Sequence, residues 1–420
     1  MDLYLSQKQH IRKILAMGKR FYDKTPASYR WILSPLKSIH TLSNVFRPKV
    51  WIVTGIEILS RQKLTIVFAG HEVNKNYLIQ LAFNSSCRDF YVGRKWLWEI
   101  RGIAEEKGND CSLLIAEVPN SFRILSRKVK SFFVPSWLSG EIDISRDVSS
   151  LVKNESLRSD IRKTKKNELS FEVSNDLSKL RSFYYNMYLP YVYKVHGNRS
   201  VIPSYDYVQS KFRRRSSSNT LLLLKKEEEY IAGTVLLCEK NRSTCWFIGI
   251  KDGNLDYVRD GAPGALYYFS ICYSANRGLN KFNFGGSRPF LKDGILRYKK
   301  KWDQKISNRQ EMGFLLKILS ESDGVKGFLM NNPFIYEDNT GLNGAIFFEG
   351  NESLSETVFE KIYKNYYING LSRLVIYRFD ESENETADIV PPEYSCKMSV
   401  CSSWEVFNDK GRISSQMSTL

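Results

Sequence analysis

Residues 244–302 read TCWFIGIKDGNLDYVRDGAPGALYYFSICYSANRGLNKFNFGGSRPFLKDGILRYKKKW. A short apolar strand opens the stretch. A loop with Asp252-Gly253 and Gly261-Ala262-Pro263-Gly264 follows, then an amphipathic helix, a second short strand, a Gly285-Gly286-Ser287 turn and a basic tail. A strand that passes through a glycine-rich loop onto a helix N-terminus makes a site for phosphate or pyrophosphate, because backbone N–H groups and the helix dipole point the same way.

What precedes this stretch narrows the fold. Residues 220–224, 230–238 and 244–250 are three apolar strands joined by polar turns at 225–229 and 239–243, an antiparallel meander. A meander feeding the loop argues against the parallel β-α-β unit of a Rossmann or P-loop site. Further upstream, 169–173 alternates as a strand, and 177–193 is a long aromatic-rich helix of the core. Residues 205–215 form a short helix whose last-turn Arg213, Arg214 and Arg215 complement its dipole.

The order strand, helix, helix, three antiparallel strands, glycine-rich loop, helix, strand, helix matches the Gcn5-related acyltransferase (GNAT) topology. Several segments carry the likeness in order: Ala262-Pro263-Gly264-Ala265 opening a helix, Ala275-Asn276-Arg277-Gly278 ending it, Lys281-Phe282-Asn283-Phe284-Gly285-Gly286, and Tyr298-Lys299 with Trp302 beyond. Together they resemble the acyltransferase domain of FemAB-like and BioF2-like proteins over roughly 138–305, and Ser159-Asp160-Ile161-Arg162-Lys163 resembles its entry. The sequence departs from the superfamily in two places. The donor loop has Arg259 followed by Asp260-Gly261-Ala262-Pro263-Gly264 instead of the usual spacing, and Asn283 stands where many relatives carry Asp.

The resemblance implies direct transfer of an acyl or aminoacyl group, with no covalent intermediate, to an amine of a small molecule, a sugar or a cell-envelope precursor. The expected donor is acyl-CoA, acetyl-CoA or longer; aminoacyl-tRNA is the alternative donor, which would make tRNA a partner. Such chemistry needs a polarised carbonyl, held phosphates, a deprotonated amine and a reprotonated leaving group. Backbone N–H groups of Gly261, Ala262, Gly264 and Ala265 are the candidates for the donor phosphates, with Arg259 as a nearby cation. Tyr298, Asp293 and His196 are the acid–base candidates, with Tyr268 beside them; Tyr298 lies where these folds often place a tyrosine that reprotonates the leaving group. Ser287, Arg288 and Lys292 follow the glycine turn and suit an acceptor carboxylate or phosphate, while Arg297, Lys299, Lys300 and Lys301 read first as a solvated basic helix. No metal is expected.

The whole chain is expected to be α/β: a GNAT-like mixed sheet with a meander, in two GNAT-like units plus a small C-terminal α/β extension. The expected divisions are a basic N-terminal helical segment at 1–49, an α/β domain at 50–137, the acyltransferase-like domain at 138–305, an extension at 306–385 and a mobile tail at 386–420. Residues 50–58 and 63–69 read as strands, 77–83 as a third, 96–107 as a helix and 111–118 as a strand. Beyond 302, 310–320, 344–349 and 372–379 read as strands and 354–367 as a helix, while 135–140 reads as a loop.

Composition bounds the partners. The chain has 420 residues, 42% hydrophobic and 13% aromatic, enough for several cores. Its formal charge of +17 draws a polyanion, a phosphorylated substrate or an acidic membrane surface, and favours an anionic acceptor. A catalytically inactive module holding nucleic acid or anionic lipid on its basic faces is the rival reading; Arg94, Lys95, Trp96 and Trp98 interleave cations with aromatics as a single-strand binder would. The seven cysteines form no C-x-x-C pair, and no apolar run approaches the ~20 residues of a membrane span. The expected location is cytoplasmic, with peripheral contact at the inner face of the membrane; the sequence carries no sign of oligomeric state.

Overall fold

The computed structural model describes residues 46–401 except 84–86, 107–109, 127–129, 146–154, 198–201, 215–217, 350–353 and 380–389. The expected basic helix at 1–49 falls almost entirely outside the described residues.

The meander is the spine of a seven-stranded mixed sheet with the order β12-β6-β11-β10-β9-β8-β7. Its strands are β6 (Leu138–Asp143), β7 (Ser170–Ser174), β8 (Thr220–Lys226), β9 (Glu229–Glu239), β10 (Arg242–Ile250), β11 (Lys281–Ser287) and β12 (Lys305–Ser307). Four consecutive leucines in β8 are buried because the sheet is covered on both faces. Leu222 and Leu224 pack with helix residues Leu266 and Ile271, whereas Leu221 and Leu223 pack with Phe183 and Tyr184. The long helix expected at 177–193 runs through 177–196 with a π-helical turn at Tyr184–Tyr188. That turn lies on β10 so closely that a Cβ on Gly249 would stand 2.6 Å from the Tyr188 backbone nitrogen.

β10 and β11 run parallel for only three pairs, Arg242–Lys281, Ser243–Phe282 and Thr244–Asn283. Beyond these β10 shifts register against β9 between Cys245 and Phe247, and β11 shifts against β6 between Asn283 and Gly286. The two strands part there. This strand order, with its brief parallel contact after a meander, is the GNAT-like arrangement expected from the element order.

The first unit is a six-stranded sheet with the order β3-β1-β2-β4-β13-β5. It is built from β1 (Lys49–Ile56), β2 (Lys63–Gly70), β3 (Arg88–Arg94), β4 (Leu113–Pro119), β5 (Phe132–Pro135) and β13 (Met312–Ile318). Two helices, α1 (Glu72–Ala82) and α2 (Leu97–Glu105), join its strands. The third sheet, β14 (Phe334–Asp338), β15 (Gly341–Phe348), β16 (Leu371–Arg378) and β17 (Met398–Cys401), packs on the first through rings. Phe132 meets Phe334 and Tyr336 edge-on, both at 5.1 Å between centroids, and Tyr377 at 5.7 Å.

Four sequence expectations are corrected. The strand expected at 77–83 is the second half of α1, whose buried Lys75, Leu78 and Ala82 recur at helical spacing. The loop expected at 135–140 is only a short link between β5 and β6. The region from 306 does not stand apart, because β13 inserts between β4 and β5 of the first sheet. Within the expected mobile tail, β17 pairs parallel with β16.

Candidate functional site

The parting of β10 and β11 is held open by side-chain chemistry that starts at Asn283. Its amide nitrogen donates to Ser139 Oγ at 2.6 Å, pinning β6, and its oxygen accepts the Gly285 N–H at 2.8 Å, forcing a tight turn. Gly285 takes φ 75°, and a Cβ there would stand 2.6 Å from the Cys245 carbonyl oxygen, so only glycine fits. Asn283 therefore has a structural task at the place where an acidic base might have been sought.

Into this gap reaches Lys299, from the helix Gly294–Lys300, whose N-cap Asp293 accepts the Leu296 N–H at 2.9 Å. Lys299 is 3% exposed and donates to the Gly286 carbonyl at 2.8 Å. Burial lowers its ammonium pKa from 10.5 to about 8, with Cys245 and Asp293 opposing the fall. This corrects the expectation of a solvated helix. Leu296, Lys299 and Trp302 recur every third residue and all three are buried, a helical spacing that was visible in the sequence. Lys300 is also drawn inward, with its pKa lowered to about 8 by burial, and donates to the Lys364 carbonyl. Cys245 lies at the same seam with its Sγ 3.2 Å from Thr234 Oγ1, and burial pushes its thiol up, which disfavours a thiolate there.

The glycine-rich loop looks different from a ready phosphate cradle. Gly261 caps the helix Ala262–Asn276 at φ 97°. Its N–H donates to the Val258 carbonyl, and the Ala265 N–H donates to the Gly261 carbonyl, so two of the four expected donors are spent on the backbone itself. Ala262 and Ala265 are fully buried. The helix Glu155–Lys166 lies across the remaining approach: a Cβ on Gly264 would stand 3.0 Å from Asp160 Cβ and 3.1 Å from the Tyr298 hydroxyl, and one on Gly261 would stand 3.1 Å from Lys163 Cβ. Lys163 Nζ and Asn167 Nδ2 fasten this cover to the Arg259 and Asp260 carbonyls at 3.1 and 3.0 Å.

Tyr298 donates to Asp160 Oδ2 at 3.1 Å, with Lys301 Nζ 3.8 Å from the same oxygen. Burial, then Asp160, raise its phenol well above the ordinary range, so Tyr298 is neutral and its proton is committed to a carboxylate. Its aromatic neighbour is Tyr267, at 6.0 Å, and Tyr268 packs instead on Phe269. Arg259 is exposed and paired with Asp256 at 2.5 Å.

The remaining candidates do not converge. Arg288, 9% exposed, is sandwiched with its guanidinium carbon 4.0 Å from the Trp137 ring and 4.5 Å from the Tyr77 ring, and donates to the Ser136 carbonyl. It fastens the first unit to the second, which corrects its expected role as an acceptor ligand. Ser287 is buried in β11 opposite Leu138, and Lys292 donates to the Met330 carbonyl at 3.3 Å. Asp293 is raised by burial and is occupied as a cap. His196 ends the helix Leu189–His196, and its side chain lies outside the described residues. The structure thus brings Tyr298, Gly261 and Gly264 together around Asp160, which the sequence reading placed only in the entry segment, and buries Lys299, which it read first as part of a solvated basic helix. Among the described residues no cluster suited to a metal is present, and no helix is long and apolar enough to cross a membrane.

No family model and no curated protein sequence matches the chain. Among solved structures, FemX is 13% identical with a TM-score of 0.36, over 60% of this chain and 80% of that one. The C-terminal domain of a putative lysylphosphatidylglycerol synthetase from Agrobacterium fabrum is 13% identical with a TM-score of 0.34, over 68% of this chain and 88% of that one. A GCN5-related N-acetyltransferase from Kribbella flavida is 10% identical with a TM-score of 0.28, over 78% of this chain and 71% of that one. These overlaps are low, and the description of the second unit as a GNAT-like mixed sheet rests on its own strand order and its parted parallel pair.

Proposed function

We propose that the chain is a transferase that passes an acyl or aminoacyl group directly from an activated donor to an amine. The observation that carries this reading is Lys299, a buried ammonium placed in the gap between two parting parallel strands. A cation there, in a dry setting, favours the negative charge that develops on a carbonyl oxygen when an amine attacks it. The C–N bond forms as the donor's C–O or C–S bond breaks, and the amine's proton leaves with the departing oxygen or sulfur. Burial pushes the Cys245 thiol up, so the cysteine at this seam is not a ready nucleophile, in keeping with direct transfer.

Between the two donor classes, the covered loop supports an aminoacyl ester over acyl-CoA. A pyrophosphate at the start of the helix Ala262–Asn276 would meet the Asp160 carboxylate, a like charge, and would have to lift the covering helix. An ester of a tRNA end does not require a diphosphate at that point. The acceptor that fits the net charge of +17 is an anionic amine, such as a phosphorylated small molecule or envelope precursor.

The test pairs binding with turnover. Acetyl-CoA and a longer acyl-CoA are expected to leave the melting temperature unchanged, while charged tRNA loses its aminoacyl group to an amine panel in the presence of the protein. Lys299→Met should reduce that transfer by about 100-fold, the scale for losing one oxyanion donor. Stabilisation by a CoA thioester with thiol release would overturn the donor assignment, and transfer from neither donor would overturn the transferase reading.

A further inference from the structure

The carboxyl ends of the parallel strands β2 and β4 hold a second constellation, distant in sequence from the transfer seam and independent of the reading given to it. The sheet register sets Arg94 of β3 opposite Lys49 of β1, and Lys49 opposite Gly70 of β2; Ala69 pairs with Ala116 of β4, which places Glu117 next along the row. Two cations directly opposite each other on neighbouring strands repel, and such a pair is stabilised when an anion lies between them. Beside this row is a cavity of about 180 Å³, lined by Lys49, Gly70, His71, Arg94, Glu117 and Met312 among others.

His71 stands at the open rim of the cavity, its side chain 75% exposed, and is held there by Glu117. Glu117, 6% exposed, accepts both the His71 backbone N–H at 2.9 Å and its ring Nδ1 at 2.8 Å through Oε2, and Asn74 Nδ2 at 3.2 Å through Oε1. Gly70 is required by this arrangement, since a Cβ there would stand 2.6 Å from Glu117 Oε2. Both carboxylate oxygens are thus engaged, the imidazole is fixed through Nδ1, and Nε2 is the ring atom left for a ligand. The second acidic group, Glu72, is paired with Lys49 at 3.7 Å. Arg94 commits one Nη1 bond to the Arg47 carbonyl at 3.0 Å and retains further donors of its fork.

We propose that this cavity is a binding site for a small oxyanion group, a phosphate or a carboxylate carried by a ligand, held by His71 Nε2, the Arg94 guanidinium and the Lys49 ammonium. Ligands commonly occupy the crevice outside the carboxyl ends of parallel strands, and β2 and β4 form the parallel pair of this sheet. The charged and titratable groups around His71 are Lys49 on β1, Glu72 on α1, Arg94 on β3 and Glu117 on β4. Glu117 raises the imidazole pKa above its ordinary 6.5, against burial and the two cations. The site therefore gains its third positive charge below the raised value and loses it as pH rises through that value.

The test follows the His71 ring by long-range 1H–15N NMR, which is tractable because the chain has four histidines and His71→Gln assigns the signal. Inorganic phosphate and acetate are titrated separately at constant ionic strength, at pH 6 and pH 8.5. Acetate does not change charge over that range, so its pH dependence reports His71 alone. The expected result is a saturable shift of the His71 signal, tighter at pH 6, and weakened about tenfold or more in Arg94→Gln and in Lys49→Gln, as loss of a charge-assisted hydrogen bond implies. Saturation with phosphate only assigns a phosphorylated ligand, and with acetate only a carboxylate. Overturning results are a shift that grows linearly and equally with sodium chloride, no shift with either anion, or saturation unchanged in Arg94→Gln.

Discussion

Replacing Lys299 by Met separates the chemistry of the seam from the stability of the fold. The lysine is 3% exposed, so solvent screening gives little relief, and lowering its pKa from 10.5 to about 8 means the charged form is disfavoured by about 3 kcal/mol relative to the neutral one. Methionine fills much the same volume without the charge. It forfeits the hydrogen bond to the Gly286 carbonyl, about 1 kcal/mol. The variant should accordingly be about 2 kcal/mol more stable than the wild type at pH 7. Below about pH 8 the lysine is protonated in both folded and unfolded chains, so this advantage is constant. Between about 8 and 10.5 the unfolded chain still binds the proton and the folded one does not, so wild-type stability rises with pH and the advantage disappears. Urea unfolding of both proteins at pH 7, 9 and 10.5 measures the difference. A variant that is less stable at pH 7, or whose difference is flat across that range, would refute the account of Lys299 as a strained buried cation.

Other perturbations probe the frame around the site. Gly140→Ala should cost about 1–3 kcal/mol, because its Cβ would sit 1.7 Å from Gln304 Oε1 and the displaced amide is buried; adding Gln304→Ala should recover part of this, and additive losses in urea would show that the contact is not the cause. Phe132→Ala should cost about 3–5 kcal/mol by removing the ring that four aromatic side chains surround, read as a loss of cooperativity between the first and third sheets in hydrogen exchange. Arg288→Met should destabilise the protein by about 2 kcal/mol through its two ring contacts while leaving the KM for an acceptor unchanged; a raised KM with an unchanged melting temperature would restore its reading as an acceptor ligand. Asp160→Asn removes the charge facing the glycine-rich loop and should permit weak stabilisation by acetyl-CoA, seen as a thermal shift absent in the wild type.

The second unit was legible because its signals are local. Apolar runs of five to nine residues between polar turns fixed β8 to β10, and glycine with proline marked the start of the following helix. What could not be read locally was partner choice. Nothing in residues 312–318 says that they insert between strands some 190 residues upstream, since a buried strand's apolar pattern is the same whichever neighbours it finds. The candidate site suffered from the same limit. Locally the glycines of 261–264 look like an open cradle, whereas their lack of side chains serves close packing of the helix Glu155–Lys166, a contact made across about 100 residues of sequence. Lys299 was legible in principle from its three-residue spacing with Leu296 and Trp302, but the run of cations around it masked the pattern.

Two of the parallel pairings, β2 with β4 and β10 with β11, share a construction. In each, a short parallel pairing ends at a glycine pressed onto its neighbour, Gly70 against Glu117 and Gly285 against the Cys245 carbonyl, and a buried charged side chain lies beside it, Glu117 in one and Lys299 in the other. The charges are opposite, so the proposals made for the two seams call for different partners: Glu117 fixes an imidazole beside two cations, which suits an anion, and the Lys299 ammonium suits the charge that would develop on a carbonyl oxygen.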